Sequence, residues 1–216
     1  MSEPNPLEDL AAAVIRGDAS AVDRLTAEAL RAGVAADVVL DRGLTTGMAE
    51  IGRRFRANEI FVPEVLIAAR AMKAGLAQLE PIFAQTGVAP VGTCVIGTVQ
   101  GDIHDIGKNL VSMMLRGAGF AVVDLGVNVP PHVFADAVRT HSPQIVGLSA
   151  LLTTTMVQMQ PTIAAVRDAS PDVRVMVGGA PVNAAFAAEV GADAYGANAG
   201  EAVDHALRFV GRAPAG

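Results

Sequence analysis

The feature that most limits the fold is a strict alternation beyond residue 90. Apolar, β-branched runs lie at 91–99, 120–125, 144–149, 173–178 and 193–196. Segments with helical spacing separate them at 106–117, 130–141 (PPHVFADAVRTH), 156–169, 182–190 and 200–210. Strand followed by helix five times over predicts a parallel sheet with helices on both faces. The run VGTCVIGTV is apolar nearly throughout, as strands buried on both faces are.

Residues 6–85 read differently, as helices only. Leu7, Leu10, Ala11, Val14 and Ile15 recur at helical spacing and stop at Gly17-Asp18. Val22, Leu25, Ala29 and Leu30 continue the stripe to Gly33. A third helix is expected over 36–56, and a fourth from Pro63 to about Phe83. Four short-looped amphipathic helices predict a small bundle. QTGVAP at 85–90 reads as a linker, so a helical bundle at 1–86 and an α/β domain at 91–216 are expected. The fold class is α/β: a four-helix bundle followed by a flavodoxin/Rossmann-like five-stranded parallel sheet.

Composition narrows the partners. The 216 residues carry a net charge of −6, with 4% aromatics and no Trp, which argues against a nucleic-acid binder. Charge, Gly or Pro breaks every apolar stretch well short of the ~20 residues a membrane span needs. The opening MSEPNPLEDL has no basic or apolar leader pattern. A lone cysteine, Cys94, fits a reducing, cytoplasmic setting and reads as a buried small hydrophobe.

In an open parallel sheet, ligands bind beyond the carboxyl ends of the strands. Three segments share that edge: Gln100–Gly107 (QGDIHDIG), Ser149–Thr155 (SALLTTT) and Gly178-Gly179. His104 can ligate a metal through one ring nitrogen while Asp102 holds the other. The same tripeptide reads equally well as a polar loop whose acids, Asp105 included, cap the next helix. The hydroxyls of SALLTTT have a similar capping alternative. Gly107 permits close approach, and paired glycines mark a turn or a bulky ligand. No Gly-x-Gly-x-x-Gly or Gly-Lys-Ser/Thr loop occurs, nor a cysteine/histidine zinc cluster. His132, His141 and His205 read as helix-surface residues, and Arg53, Arg54 and Arg56 as a solvated basic face.

Asp102-x-His104-x-x-Gly107, then Ser149-x-Leu151, then Gly178-Gly179, resembles the cobalamin-binding domain shared by methionine synthase, corrinoid methyl carriers and some mutases. GDIHDIGKNLVSMMLRGAGFAVVDLGVNVP resembles the carrier version, and MAEIGRRFRANEIFVPEVLIAARAMKAGL the helical cap before it. The resemblance implies cobalamin or a related corrinoid, in its methyl and Co(I) forms, with its own base displaced. His104 is then the lower axial ligand of cobalt, Asp102 its partner, and Thr155 the third relay member, where the family has serine. Ser149, Leu151 and Thr153 line a slot for the displaced nucleotide, opposite Gly178 and Gly179, whose missing Cβ leaves room. Phe55 and Val62 shield the upper face. The implied role is a methyl carrier, not catalytic alone. It works between a substrate:corrinoid methyltransferase and an acceptor methyltransferase (tetrahydrofolate or thiol), and is served by a reductive activator. An adenosylcobalamin-dependent sensor without its own DNA-binding domain is the alternative, and a mutase subunit, which usually lacks the cap, a further one.

Overall fold

The computed structural model describes residues 5–86 and 89–213. The chain divides into two compact units, one built on the helices up to Pro90, the other on Val91–Arg116 and Phe120–Pro214. Of the linker expected at 85–90, residues 87 and 88 lie outside the described residues.

The first unit is helical. α1 (Pro6–Arg16) begins where the Asn5 side chain accepts from the Leu7 amide, and it ends at Gly17 in the left-handed region. α2 (Ala19–Arg31) is capped by Asp18, whose carboxylate accepts from the Ala21 amide. The third helical stretch is not uniform: α3 (Ala36–Val38) passes through a π-helical segment, Val39–Thr45, into α4 (Thr46–Arg56). α5 (Val62–Thr86) completes the unit. Its core is Leu10, Val14, Val22, Val39, Leu44, Val65 and Leu79, all without exposed surface. At ~1.5–3 kcal/mol for each fully buried aliphatic, these residues outweigh the weak propensity of any one helix.

The second unit is a five-stranded parallel sheet in the order β2-β1-β3-β4-β5. The strands are β1 (Thr93–Thr98), β2 (Ala121–Asp124), β3 (Ile145–Ser149), β4 (Arg174–Gly178) and β5 (Ala194–Gly196). The helices are α6 (Ile106–Gly117), α7 (Pro131–His141), α8 (Thr153–Met156), α9 (Met159–Ala169), α10 (Ala184–Glu189) and α11 (Ala199–Phe209). The helix expected at 156–169 thus begins earlier and is broken into two pieces. Val95, Val99, Val146, Leu148, Val175 and Val177 pack on one face against Phe134, Val138, Met159 and Ile163.

Strand periodicity sends alternate residues to the opposite face. Along the carboxyl edge the register pairs Thr98 with Ser149, Ser149 with Gly178, and Gly178 with Gly196. These four small residues share a face and a level. It is the face of α11, because a Cβ on Gly196 would meet Ala202. A shelf of small side chains therefore crosses four strands where the loops of a parallel sheet gather ligands.

Candidate functional site

Asp102 is the centre of the site. It lies in the β1–α6 loop and is fully buried. Its Oδ1 accepts from the His104 backbone amide at 3.1 Å and meets His104 Nδ1 at 2.7 Å. Its Oδ2 accepts from the Leu151 amide at 2.7 Å, the Leu152 amide at 3.3 Å and the Thr155 hydroxyl at 2.6 Å. Burial pushes this carboxyl up. The Thr155 hydroxyl, the Leu151 and His104 amides and the imidazole more than reverse that, holding it well below the usual carboxylate range. A buried carboxylate with every lone pair engaged is a fixed anion.

That anion fixes the imidazole. Facing a carboxylate, Nδ1 carries the ring proton, which leaves Nε2 with an open lone pair. The His104 side chain is 46% exposed, so Nε2 meets no hydrogen-bonding partner among the described residues. The His104 carbonyl accepts from the Thr98 hydroxyl at 2.9 Å, which ties the loop back to β1. In the two segments tied together by Asp102, Ile103, Ile106, Leu151, Leu152 and Val157 are 73, 77, 43, 43 and 53% exposed. Polar loops rarely display so many large apolar side chains together; such a patch marks a binding surface.

The structure therefore brings Asp102, His104 and Thr155 into one hydrogen-bonded group, and Leu151 joins it through its amide rather than its side chain. Thr153 is exposed at the start of α8, and Ser149 is half-buried beside Gly178. A Cβ on Gly107 would meet nothing, so the space above the first turn of α6 is open. Gly179 differs from the expectation. A Cβ there would lie 1.8 Å from the Ala150 carbonyl oxygen, at φ +122°, so the backbone just beyond β3 already forbids a side chain. The glycine is required by the fold before any ligand is considered. The Asp105 carboxylate accepts from the Asn109 side chain at 2.9 Å, and its carbonyl accepts from the Asn109 amide.

In the helical unit, Phe55 at the end of α4 and Val62 at the start of α5 are half-buried, with Phe61 beside them 67% exposed. Arg53 and Arg54 are not a free basic face. Arg53 bridges Glu50 and Glu59 at 2.7 and 3.0 Å, and Arg54 meets Glu50 at 2.6 Å. The two guanidiniums hold the Glu50 carboxyl down at about 2. His132 and His141 are exposed, while His205 is half-buried and stacks on Phe209. Cys94 is buried, and desolvation pushes its thiol up to about 12, outside the reactive range.

Sequence reasoning missed Thr98, Gly196, Ser112 and Asn128. The first two are found only through strand register. Ser112 lies one turn beyond Lys108 on α6 and buries a hydroxyl with no partner among the described residues.

An α/β domain that presents one carboxylate-fixed imidazole at the strand ends, in loops that expose large apolar side chains, defines a binding domain for a metal-centred cofactor. The comparisons say which. Residues 92–207 match the B12 binding domain family, and residues 6–80 match a second family likewise described as a B12 binding domain. The chain belongs to this family. It is 44% identical to the trimethylamine corrinoid protein of Methanosarcina barkeri over 86% of this chain and 88% of that one. It is 39% identical to dimethylamine corrinoid protein 1 of Methanosarcina acetivorans over 97% and 100%. Its structure is similar to the methanol:cobalamin methyltransferase complex MtaBC from Methanosarcina barkeri, at 29% identity and a TM-score of 0.85, covering 97% of this chain and 81% of that one. A cobalamin-binding protein from Desulfitobacterium hafniense DCB-2 gives 32% identity and a TM-score of 0.79, covering 94% and 98%.

The residues fit a corrinoid. A single imidazole with its outer nitrogen free would suit one ligand position of a transition metal. The exposed apolar side chains suit the rim of a macrocycle. Among the described residues no cluster of three or more His, Cys, Asp or Glu can hold a metal by itself, and no helix is long and apolar enough to cross a membrane.

Proposed function

We propose that this chain is the methyl-carrying corrinoid subunit of a methyltransferase system, holding its cofactor with the cofactor's own base displaced. When bound, the cobalt supplies the nucleophile that takes up a methyl group and later gives it up. The chain's own residues bind and tune. His104 would hold the cobalt through Nε2, and Asp102 fixes the tautomer and orientation of that ring. The Thr155 hydroxyl keeps Asp102 oriented. Ser149, Leu151 and Thr153, with Gly178 and Gly179, receive the displaced nucleotide, and the small-residue shelf extends this row to Thr98 and Gly196. Gly107 leaves the approach open. Phe55 and Val62 serve as the apolar shield for the exchanged group.

The relatives named for trimethylamine and dimethylamine favour a methylamine as the upstream methyl source. The reading calls for three partners: a substrate-specific methyltransferase, an acceptor methyltransferase using tetrahydrofolate or a thiol, and a reductive activator. The lone buried thiol accords with a cytoplasmic setting.

The observation that carries the reading is the fixed imidazole with its outward nitrogen free. The test is uptake of hydroxocobalamin by the full chain, followed by EPR of the Co(II) form. The expected result is one corrinoid per chain with nitrogen superhyperfine splitting, lost in His104→Ala. Protein that stays colourless after gel filtration, or splitting that persists in His104→Ala, would overturn it.

A further inference from the structure

The loop that carries His104 is held from a second direction, by the connection between β2 and α7. That connection is itself fastened. Asp124, the last residue of β2, accepts from the Gly126 amide at 2.9 Å and pairs with Lys108 of α6 at 2.5 Å. Lys108 is almost fully buried and also donates to the Asn109 side chain at 2.7 Å. Gly126 in turn accepts from the Thr98 amide, and Val129 donates back to the Thr98 carbonyl. An isolated parallel bridge joins Val99 to Val129.

Asn128 stands between these fastenings. Its φ is +53°, the left-handed region that non-glycine residues enter at a cost, least for Asn. In that conformation it grips two consecutive groups of the His104 loop. Its side-chain Oδ1 accepts from the Gly101 amide at 2.7 Å, and its own amide donates to the Asp102 carbonyl at 2.8 Å. Asp102 is thus oriented at the side chain by Leu151, Leu152 and Thr155, and at the backbone by Asn128. A strained residue fixed by its surroundings is an outlier from which function can be inferred.

We propose that Asn128 is a positioning residue for the axial imidazole: its two-point grip on Gly101 and Asp102 sets where the Asp102–His104 pair stands above the sheet edge, and so how firmly His104 holds the metal. The inference rests on the corrinoid reading of the site. Asn128 has no hydrogen bond to His104 among the described residues; its bonds go to Gly101 and Asp102, and it acts through the loop.

Two variants of the full chain separate its parts. Asn128→Gly accepts the left-handed backbone and keeps the amide, but removes the acceptor. Asn128→Asp keeps an acceptor oxygen. The first readout needs no cofactor: hydrogen exchange of the Gly101 amide. The second is the fraction of Co(II) corrinoid that shows imidazole nitrogen splitting. In Asn128→Gly, Gly101 exchange is expected to quicken roughly three- to tenfold, the worth of one modest hydrogen bond, and the imidazole-bound fraction to fall. Asn128→Asp is expected to restore both. An Asn128→Gly protein that matches the wild type in both readouts overturns the proposal. So does faster exchange with an unchanged imidazole-bound fraction, which would make Asn128 structural only. Wild-type protein that takes up no corrinoid overturns the corrinoid reading instead, and Gly101 exchange still decides whether the grip exists.

Discussion

At Asp102 one carboxylate holds a ring with one oxygen and a second loop with the other. The side chain is buried, so an unsatisfied lone pair would be costly. Thr155 supplies the shortest of the bonds to Oδ2, at 2.6 Å. Thr155→Val keeps the shape and removes the donor. It is expected to lower the stability of the cofactor-free chain by about 1.5–3 kcal/mol, the range for hydrogen bonds to charged groups, measured as a shift in the urea midpoint. Thr155→Ser is expected to stay near wild type; a Thr155→Val midpoint equal to wild type would show that the hydroxyl is idle. The pairing of Asp102 with His104 was legible because two residues of separation fix the reach. The donors from Leu151 and Leu152 were not, because backbone amides carry no residue code. Asn128 escaped for a similar reason: its part depends on a left-handed φ, and sequence shows only a residue tolerant of one.

Among the elements, strand existence and order of appearance follow from the β-branched runs, and all five strands fall within the expected windows. What the runs do not contain is register. The shelf from Thr98 to Gly196 exists only because parallel pairing sets four residues from separate strands at one level. The π-helical segment Val39–Thr45 is likewise invisible to an apolar stripe, which reads the whole stretch as one helix. Two glycines show how structure divides what sequence lumps together. Gly179 faces the Ala150 carbonyl at a distance no Cβ occupies. Gly179→Ala should cost about 2–4 kcal/mol even without cofactor, from strain and overpacking. Gly107 faces open space. Gly107→Ala should leave cofactor-free stability near wild type while weakening hydroxocobalamin uptake in a titration. Equal stability for both variants would contradict this division.

For the whole molecule, binding and folding are linked. A ligand held only by the native state stabilises it by about 2.7 kcal/mol when present at a hundred times its Kd. For a chain of this length that is a rise in Tm of roughly 5–10 °C. Thermal unfolding with saturating hydroxocobalamin should show it, followed by circular dichroism, since the sequence has no Trp to report fluorescence. The rise should shrink in His104→Ala; no rise in the wild type would mean that the native state has no preference for the corrinoid.

The grip on the imidazole has a further consequence. Asp102 finds its Oδ2 partners 49, 50 and 53 residues downstream, across the pairing of β1 with β3. No shorter stretch of chain owns the orientation of that ring. During synthesis or refolding, the pigment's seat comes into being only after distant strands have met. Corrinoid that stays with the protein through gel filtration would then serve as a gauge of completed architecture.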